Sequence, residues 1–264
     1  MNKRIQLLLH IHFKGPGTYC NGVHAGMLPP PKACGAGGAP KASINTICPI
    51  TYSNYYSRNW EKTVFLCQEQ IMKQLFDYIN SYAPNGISEG DFEIIRQYFI
   101  PKKVRKKQYF LQEGDICRHF GFILKGAMRQ YTVDEKGAEH IVQLGVENWW
   151  VGDRESYTMF TPSAYNVDAW EDTELLLISR PDVLELFQRC PAFAETVRIM
   201  DDRNNIANQR RITSSISSGA EKRYTDFIAC YPAIAERFPQ HIIASYLGIT
   251  KDTLSRIKRQ LLQK

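Results

Sequence analysis

The sequence predicts an α+β fold: an N-terminal β-roll or jelly roll flanked by helices, a long connecting helix, and a C-terminal helix-turn-helix domain. Between Pro101 and Ser179, short apolar segments of period two alternate with turns every ~8–12 residues, which favours a roll, barrel or sandwich. After Pro191 the apolar period becomes that of a helix. Near the C-terminus, two short amphipathic segments are joined by a glycine.

Residues 1–70 differ from the rest of the chain. The stretch MLPPPKACGAGGAPKAS is rich in Pro, Gly and Ala, and neither a helical nor a strand period runs through it. Such a segment buries too little apolar surface to offset its chain entropy, so we expect a disordered leader. An upstream start-site error is an alternative, because Met72 opens a segment with a globular pattern.

Residues 71–190 are predicted to form the β-roll and its flanking helices. A short amphipathic helix should run from Ile71 to Tyr82, and Ser88 should cap a second helix that contains Ile95. The EGD and DEKG segments are expected turns, and a helix should begin at Pro181. The predicted strands are Tyr109–Leu111, Phe120–Leu124, Ala127–Val133, His140–Leu144, Tyr165–Ala169 and Leu175–Ser179.

Residues 191–217 are predicted to form one long helix, with a hinge in the SSISSG segment (214–219), and residues 218–264 the C-terminal domain. Near the end of the chain, Gly248 suits a helix C-terminus and Thr250 suits the N-cap of the next helix. In that last helix the apolar residues fall on one face and the charged residues on the other. The apolar face holds Leu254, Ile257 and Leu261, and the opposite face holds Asp252, Arg256, Arg259 and Gln263.

The charge distribution favours a polyanionic partner. The 264 residues carry 33 Lys and Arg against 27 Asp and Glu, a net charge of +6. From Arg203 onward the net charge is +7, so the basic excess lies at the C-terminal end. No apolar run approaches the ~20 residues of a membrane span. The seven cysteines are odd in number and form no CxxC pair, which favours free thiols in a reducing cytoplasm.

The sequence of the C-terminal segment, IASYLGIT followed by TLSRI, resembles that of the DNA-binding unit of the Crp/Fnr family of bacterial transcription regulators. The segments QYFLQEGD and FGFILKGAMRQY and the Gly-Asp pair at 152–153 resemble the cyclic-nucleotide-binding β-roll of that family. The resemblance implies a sequence-specific regulator that binds double-stranded DNA as a homodimer through the long helix. RNA polymerase is a further candidate partner.

The resemblance places the base-reading positions at Lys251, Asp252 and Arg256. Arg256 can donate two bonds to guanine, and Asp252 can accept from cytosine N4. Hydroxyl and basic residues nearby are candidates for phosphate contact. These are Thr250, Thr253, Ser255 and Arg259. The alternative interpretation is a solvated helix face on which Asp252 and Arg256 pair with each other as a surface ion pair.

An effector pocket is predicted around the Gly-Asp pair. Its candidate residues are Trp150, Gly152, Asp153, Arg154 and Ser163. Family members that bind cyclic AMP use a Glu for the ribose and an Arg for the cyclic phosphate. Here the Glu position is Asp153, and the Arg position falls on Pro162 or Ser163. Without that cation we expect no cyclic AMP binding, and an unknown small-molecule effector takes its place.

Two other functions compete with this interpretation. A jelly roll could be a cupin-type metalloenzyme, but only His119 and His140 lie in the β segment and no HxH motif occurs. The same fold could also be a sensor module that acts through protein contacts. We expect no cofactor, metal site or catalytic residues, since the sequence has no P-loop, GxGxxG motif or Ser/His/Asp set.

Overall fold

The computed structural model describes residues 71–263, so the predicted leader at residues 1–70 lies outside the described part of the chain. Residues 71–80 are helical and are called α1. The remaining helices and strands follow in chain order: α2 (Glu89–Arg96), β1 (Ile100–Val104), β2 (Tyr109–Leu111), β3 (His119–Lys125), β4 (Met128–Val133), β5 (Glu139–Gly145), β6 (Trp150–Val151), α3 (Arg154–Met159), β7 (Asn166–Ala169), β8 (Thr173–Ser179), α4 (Arg180–Arg189), α5 (Pro191–Ser217), α6 (Ala220–Cys230), α7 (Pro232–Arg237), α8 (Gln240–Leu247) and α9 (Lys251–Leu261).

The strands form two antiparallel four-stranded sheets, with the orders β1-β8-β3-β6 and β2-β7-β4-β5. Strand β3 is buried along most of its length, and β4 and β8 consist of buried and half-buried residues except for the exposed Val133 at the end of β4. This is the sheet-rich roll that the period-two segments predicted. Each of the six predicted strand segments lies within or overlaps an observed strand.

The sequence missed three short elements of the roll. Strand β1 (IPKKV) is exposed except at Val104, so it shows no apolar alternation. Strand β6 has only two residues, both buried, and no period can be read from a pair. Helix α3 is a six-residue helix that begins after Asp153.

The helices that flank the roll follow the predicted caps and faces. The side chain of Ser88 accepts a hydrogen bond from the Asp91 N–H at the start of α2. Leu75 and Ile79 of α1 and Ile95 of α2 are fully buried. Their apolar faces therefore cover the roll, as the helical spacing predicted.

The two halves of helix α5 differ in how far their apolar residues are buried. Its first half buries Phe193, Val197 and Met200, whereas Ile206 and Ile212 are exposed in its second half. The helix continues to Ser217, so most of the segment predicted as a hinge (214–219) is helical, and only Ser218 and Gly219 separate α5 from α6.

Helices α6–α9 form a C-terminal helical region with its own apolar core. The buried residues are Tyr224, Phe227, Ile234, Phe238, Ile242, Ile243, Ala244, Leu254 and Ile257. Helix α8 also lies along strand β5, one of the two edge strands of the second sheet. The C-terminal helical region therefore packs on the roll as well as on itself.

The cysteines only partly follow the prediction of free thiols. Cys117 and Cys190 are free and buried. Burial raises the pKa of Cys117 to about 12, which makes its thiol a poor nucleophile at neutral pH. Cys230 is disulfide-bonded, so the prediction is wrong at that position.

Candidate functional site

Helices α8 and α9 meet in a tight turn whose geometry follows from two residues. Gly248 adopts φ +64°, a left-handed conformation that ends α8, and its N–H donates back to the carbonyls of Ala244 and Ser245. The Thr250 hydroxyl then accepts from the Thr253 N–H and caps the start of α9. Both roles match the prediction from sequence.

Helix α9 separates an apolar back from a polar front. Leu254 and Ile257 are buried against the rest of the C-terminal helical region. The predicted front residues Asp252, Arg256 and Arg259 are exposed, as are Lys251 and Thr250. The helix that carries this front has 11 residues and is therefore about 16 Å long.

The remaining predicted contact residues are partly engaged within the protein. The Thr250 and Thr253 hydroxyls lie 2.9 Å apart and share a hydrogen bond. Ser255 is half-buried, and its hydroxyl lies 3.4 Å from the Gln240 side-chain oxygen of α8. Within residues 71–263, Asp252 and Arg256 do not form the ion pair of the alternative interpretation.

Arg223 supports the turn and was missed by the sequence reasoning. It lies on α6, and its Nη1 donates to the Leu247 carbonyl at 2.9 Å, beside Gly248. A cation at a helix C-terminus satisfies an orphan carbonyl and interacts favourably with the helix dipole. The only signal in the sequence was one of two basic residues on an amphipathic helix, which does not identify its partner.

Around the Gly-Asp pair, Asp153 and Ser163 form an internal framework. One carboxylate oxygen of Asp153 accepts from the N–H groups of Glu155 and Ser156 and so caps α3. The other oxygen accepts from the Ser163 hydroxyl at 2.8 Å. Both residues are buried, so their polar groups hold the cassette (residues 152–163) together.

Two of the predicted pocket residues face the core of the roll. Trp150 is 1% exposed and packs against Phe122, with ring centroids 5.2 Å apart. Gly152 has φ +144°, and a Cβ added there would lie 3.4 Å from Cys117 Sγ and from the Phe120 ring. These distances are ordinary van der Waals contacts, so it is the positive φ that favours glycine at this position.

Arg154 is the predicted pocket residue that reaches out of the cassette. Its side chain is 10% exposed, its Nη2 lies 3.8 Å from Asp201 Oδ1 on α5, and its guanidinium lies 5.5 Å from the centroid of the Phe120 ring. Burial lowers the pKa of the guanidinium below its ordinary value, against the raising effect of the Asp201 charge. Arg154 therefore links the cassette to the long helix α5.

The five predicted pocket residues do not line a groove that the described residues form beside β2. That groove has a volume of about 790 Å³ and is lined by Gln108, Tyr109, Phe110, Leu111, Gln112, Gly114, Asp115, Ile116 and Arg118. Among residues 71–263, no group of three or more His, Cys, Asp or Glu side chains could hold a metal ion. No helix in this part of the chain is long and apolar enough to cross a membrane.

Comparisons with known proteins agree with this architecture. Residues 101–190 match the family model described as a cyclic nucleotide-binding domain. FixK2 from Bradyrhizobium japonicum is 17% identical, with 62% of this chain and 85% of that chain covered and a TM-score of 0.55. The c-di-GMP responsive global regulator CLP from Xanthomonas campestris is 12% identical, with coverage of 67% and 92% and a TM-score of 0.54.

A CooA variant from Carboxydothermus hydrogenoformans is 16% identical, with coverage of 63% of this chain and 78% of that chain and a TM-score of 0.51. A search of the curated proteins found no significant match. At these identities the likeness concerns the fold: a roll of the cyclic-nucleotide-binding type with a helical C-terminal region.

Proposed function

We propose that this protein is a sequence-specific DNA-binding transcriptional regulator of the Crp/Fnr type, with a β-roll that senses an effector and no catalytic activity. The observation that carries the proposal is the exposed polar front of α9 above a buried apolar back. The net charge of +7 from Arg203 onward supports a polyanionic ligand. Such a regulator works where chromosomal DNA lies, and we therefore assign it to the cytoplasm.

We assign some residues on the front of α9 to base contacts and others to phosphate contacts. Arg256 is assigned two bonds to guanine O6 and N7, and Asp252 is assigned an acceptor role toward cytosine N4. Lys251, at the start of the helix, reaches a base or a phosphate. Thr250 and Arg259 are assigned phosphate contacts, which set the register on the duplex.

Two further phosphate contacts are assigned to half-buried residues of α9. Thr253 shares its hydroxyl with Thr250 and can donate outward once that bond is given up. Ser255 already bonds to Gln240, so a phosphate contact from Ser255 competes with that bond.

We further propose a homodimer that forms through the second half of α5. Ile206, Ile212 and Ile216 are exposed there, and Ile216 is 81% exposed. An apolar helix surface of this kind is covered when two helices pair. In the dimer the two α9 helices would read half-sites about 34 Å apart on a pseudo-palindrome. RNA polymerase is the further partner expected of an activator.

The effector is proposed to be a small molecule other than cyclic AMP. Ser163 donates to Asp153 and Pro162 offers no side-chain donor, so neither candidate position supplies a cation for a cyclic phosphate. Calorimetric titration with cyclic AMP should show no binding, and micromolar affinity would contradict this assignment.

The DNA proposal is tested by selecting binding sites from random duplexes and measuring affinity by fluorescence anisotropy at several salt concentrations. We expect an enriched pseudo-palindrome and a log Kobs that falls linearly with log[salt]. A protein that enriches no sequence and shows no salt-dependent DNA affinity would instead be a sensor that acts through protein contacts.

A further inference from the structure

The C-terminal helical region is held on the β-roll by an ionic cluster around Arg237, at the end of α7. Arg237 Nη1 donates to Glu147 at 2.5 Å, and its Nε and Nη2 donate to both oxygens of Glu171 at 3.0 and 2.5 Å. The side chain of Arg237 is 24% exposed and the two carboxylates are about one-third exposed. Partly buried, bidentate pairs of this kind are stronger than isolated surface ion pairs.

The carboxylates are placed by the roll itself. Glu147 lies between β5 and β6, and its Oε1 also accepts the N–H of Gly126 from the β3–β4 turn at 2.8 Å. Glu171 lies in the β7–β8 turn. Burial raises the pKa of Glu147, but hydrogen bonds from Arg237 and from backbone N–H groups outweigh it, so the pKa lies below its ordinary value. Residues before β6 and in the β7–β8 turn therefore meet at one guanidinium, and the β3–β4 turn is joined to them through Glu147.

Aromatic and backbone contacts surround the cluster. Trp149 packs edge-on against Tyr231, with ring centroids 5.6 Å apart, and Trp170 packs against Phe238 at 5.7 Å. Trp170 also donates its Nε1–H to the Arg237 carbonyl at 3.3 Å. The contact thus includes two aromatic pairs in addition to the ion pairs.

A second set of contacts joins helix α8 to the edge strand β5. The Ile141 N–H donates to the Ser245 hydroxyl at 3.0 Å, and that hydroxyl donates to the Glu139 carbonyl at 3.2 Å. Arg211 of α5 donates to the Val142 carbonyl at 2.8 Å. Because β5 is an edge strand, these bonds satisfy backbone groups that no neighbouring strand reaches.

The cluster lies next to the cassette in the chain. Glu147 and Trp149, which contact the C-terminal helical region, immediately precede β6, and β6 runs into Gly152 and Asp153. A displacement of the cassette would therefore pull on the residues that hold Arg237. The exposed front of α9 is not covered by these contacts, so they fix its orientation and leave its surface free.

We propose that Arg237, Glu147 and Glu171 form an interdomain clamp that fixes the orientation of α8 and α9 on the β-roll and transmits displacements of the cassette to them. Its relevance to gene regulation rests on the proposed function. Its existence does not, because the clamp can be measured without DNA.

Amide hydrogen exchange of Ile141, followed by NMR or by mass spectrometry of β5 peptides, tests the clamp in the full chain. In Arg237→Met we expect Ile141 to exchange at least ~10-fold faster while amides of the central strands β3 and β8 keep their rates. Glu171→Gln should act in the same direction. The control is Lys222→Met, which removes an exposed ion pair with Asp226 inside α6 and should leave Ile141 unchanged.

The transmission is tested by Ser163→Ala, which removes the hydrogen bonds of this hydroxyl to Asp153 and to the backbone of Tyr165 and changes no clamp residue. We expect faster exchange of Ile141 with unchanged exchange in β3 and β8. Wild-type exchange of Ile141 in Arg237→Met would overturn the clamp, and wild-type exchange in Ser163→Ala would overturn its coupling to the cassette. If the wild-type protein bound no DNA, the proposed function would be refuted. Both hydrogen-exchange results would still hold, because they are measured without DNA.

Discussion

Replacing Arg256 with alanine is the sharpest test of how the chain would read DNA. Arg256 is exposed on α9, opposite Leu254 and Ile257, and makes no hydrogen bond or ion pair with another residue of the described range 71–263. Alanine has at least the helix propensity of arginine. The variant should therefore fold with a stability within about 0.5 kcal/mol of the wild type.

The binding loss follows from the role assigned to the guanidinium. A bidentate contact to guanine is worth about 1–3 kcal/mol of discrimination, which corresponds to about a 5- to 150-fold loss of affinity for the best operator. Binding to random DNA should hardly change, because no phosphate contact is lost. Preference should relax at one base pair of each half-site.

The assay is fluorescence anisotropy with the selected operator, a set of single-base-pair variants, and random duplex. Arg259→Ala is the matched control, since it lies one helical turn further along the same front. It should weaken all sequences alike and reduce the magnitude of the salt slope by about 0.9. An equal loss on operator and random DNA in Arg256→Ala would make Arg256 a phosphate contact and refute the base-reading assignment.

Three further predictions concern the folded protein. Gly126→Ala should destabilise it by about 2–6 kcal/mol in urea unfolding, since φ is +106° and the added Cβ would lie 2.7 Å from backbone atoms of the β7–β8 turn. Gly137→Ala, at φ +79° in open space, should cost only about 1–2 kcal/mol; equal losses would contradict the steric argument. Asp153→Ala should cost about 2–4 kcal/mol, because it removes both the α3 cap and a charged hydrogen bond, and a loss below ~1 kcal/mol would refute that role. Because the pKa of Glu147 is lowered in the fold, its stabilisation is present above the ordinary value of 4.5 and is lost as the pH falls through the folded value. The difference in thermal stability between wild type and Glu147→Gln should therefore be constant from pH 7 to pH 5 and shrink below it, and a difference that grows on acidification would contradict the bond to Arg237.

Features that depend on neighbours in the sequence were predictable. The caps at Ser88 and Thr250 and the left-handed Gly248 involve hydrogen bonds between residues at most four apart. The two faces of α9 follow from the helical period, and most strands follow from the period of two. Strands β1 and β6 lacked such a signal because one is mostly exposed and the other has two residues.

The candidate surface for DNA could also be predicted from nearby residues, since exposed and buried positions alternate along the single helix α9. The contacts of the predicted pocket residues could not be predicted in this way. The sequence pointed to residues around the Gly-Asp pair, but it could not tell that Asp153 and Ser163 bond to each other or that Trp150 belongs to the core. Those outcomes depend on how the loop after β6 folds back on the roll.

By itself, then, the sequence determined the order and type of most elements, the charged front of α9 and the basic C-terminal end. Only the tertiary structure decided that Arg154 meets Asp201 and that Arg237 meets Glu147 and Glu171, which lie 90 and 66 residues away along the chain. Periodicity indicates which face of an element is apolar. It does not indicate which distant turn that face contacts, because this depends on how the sheets and helices pack against one another.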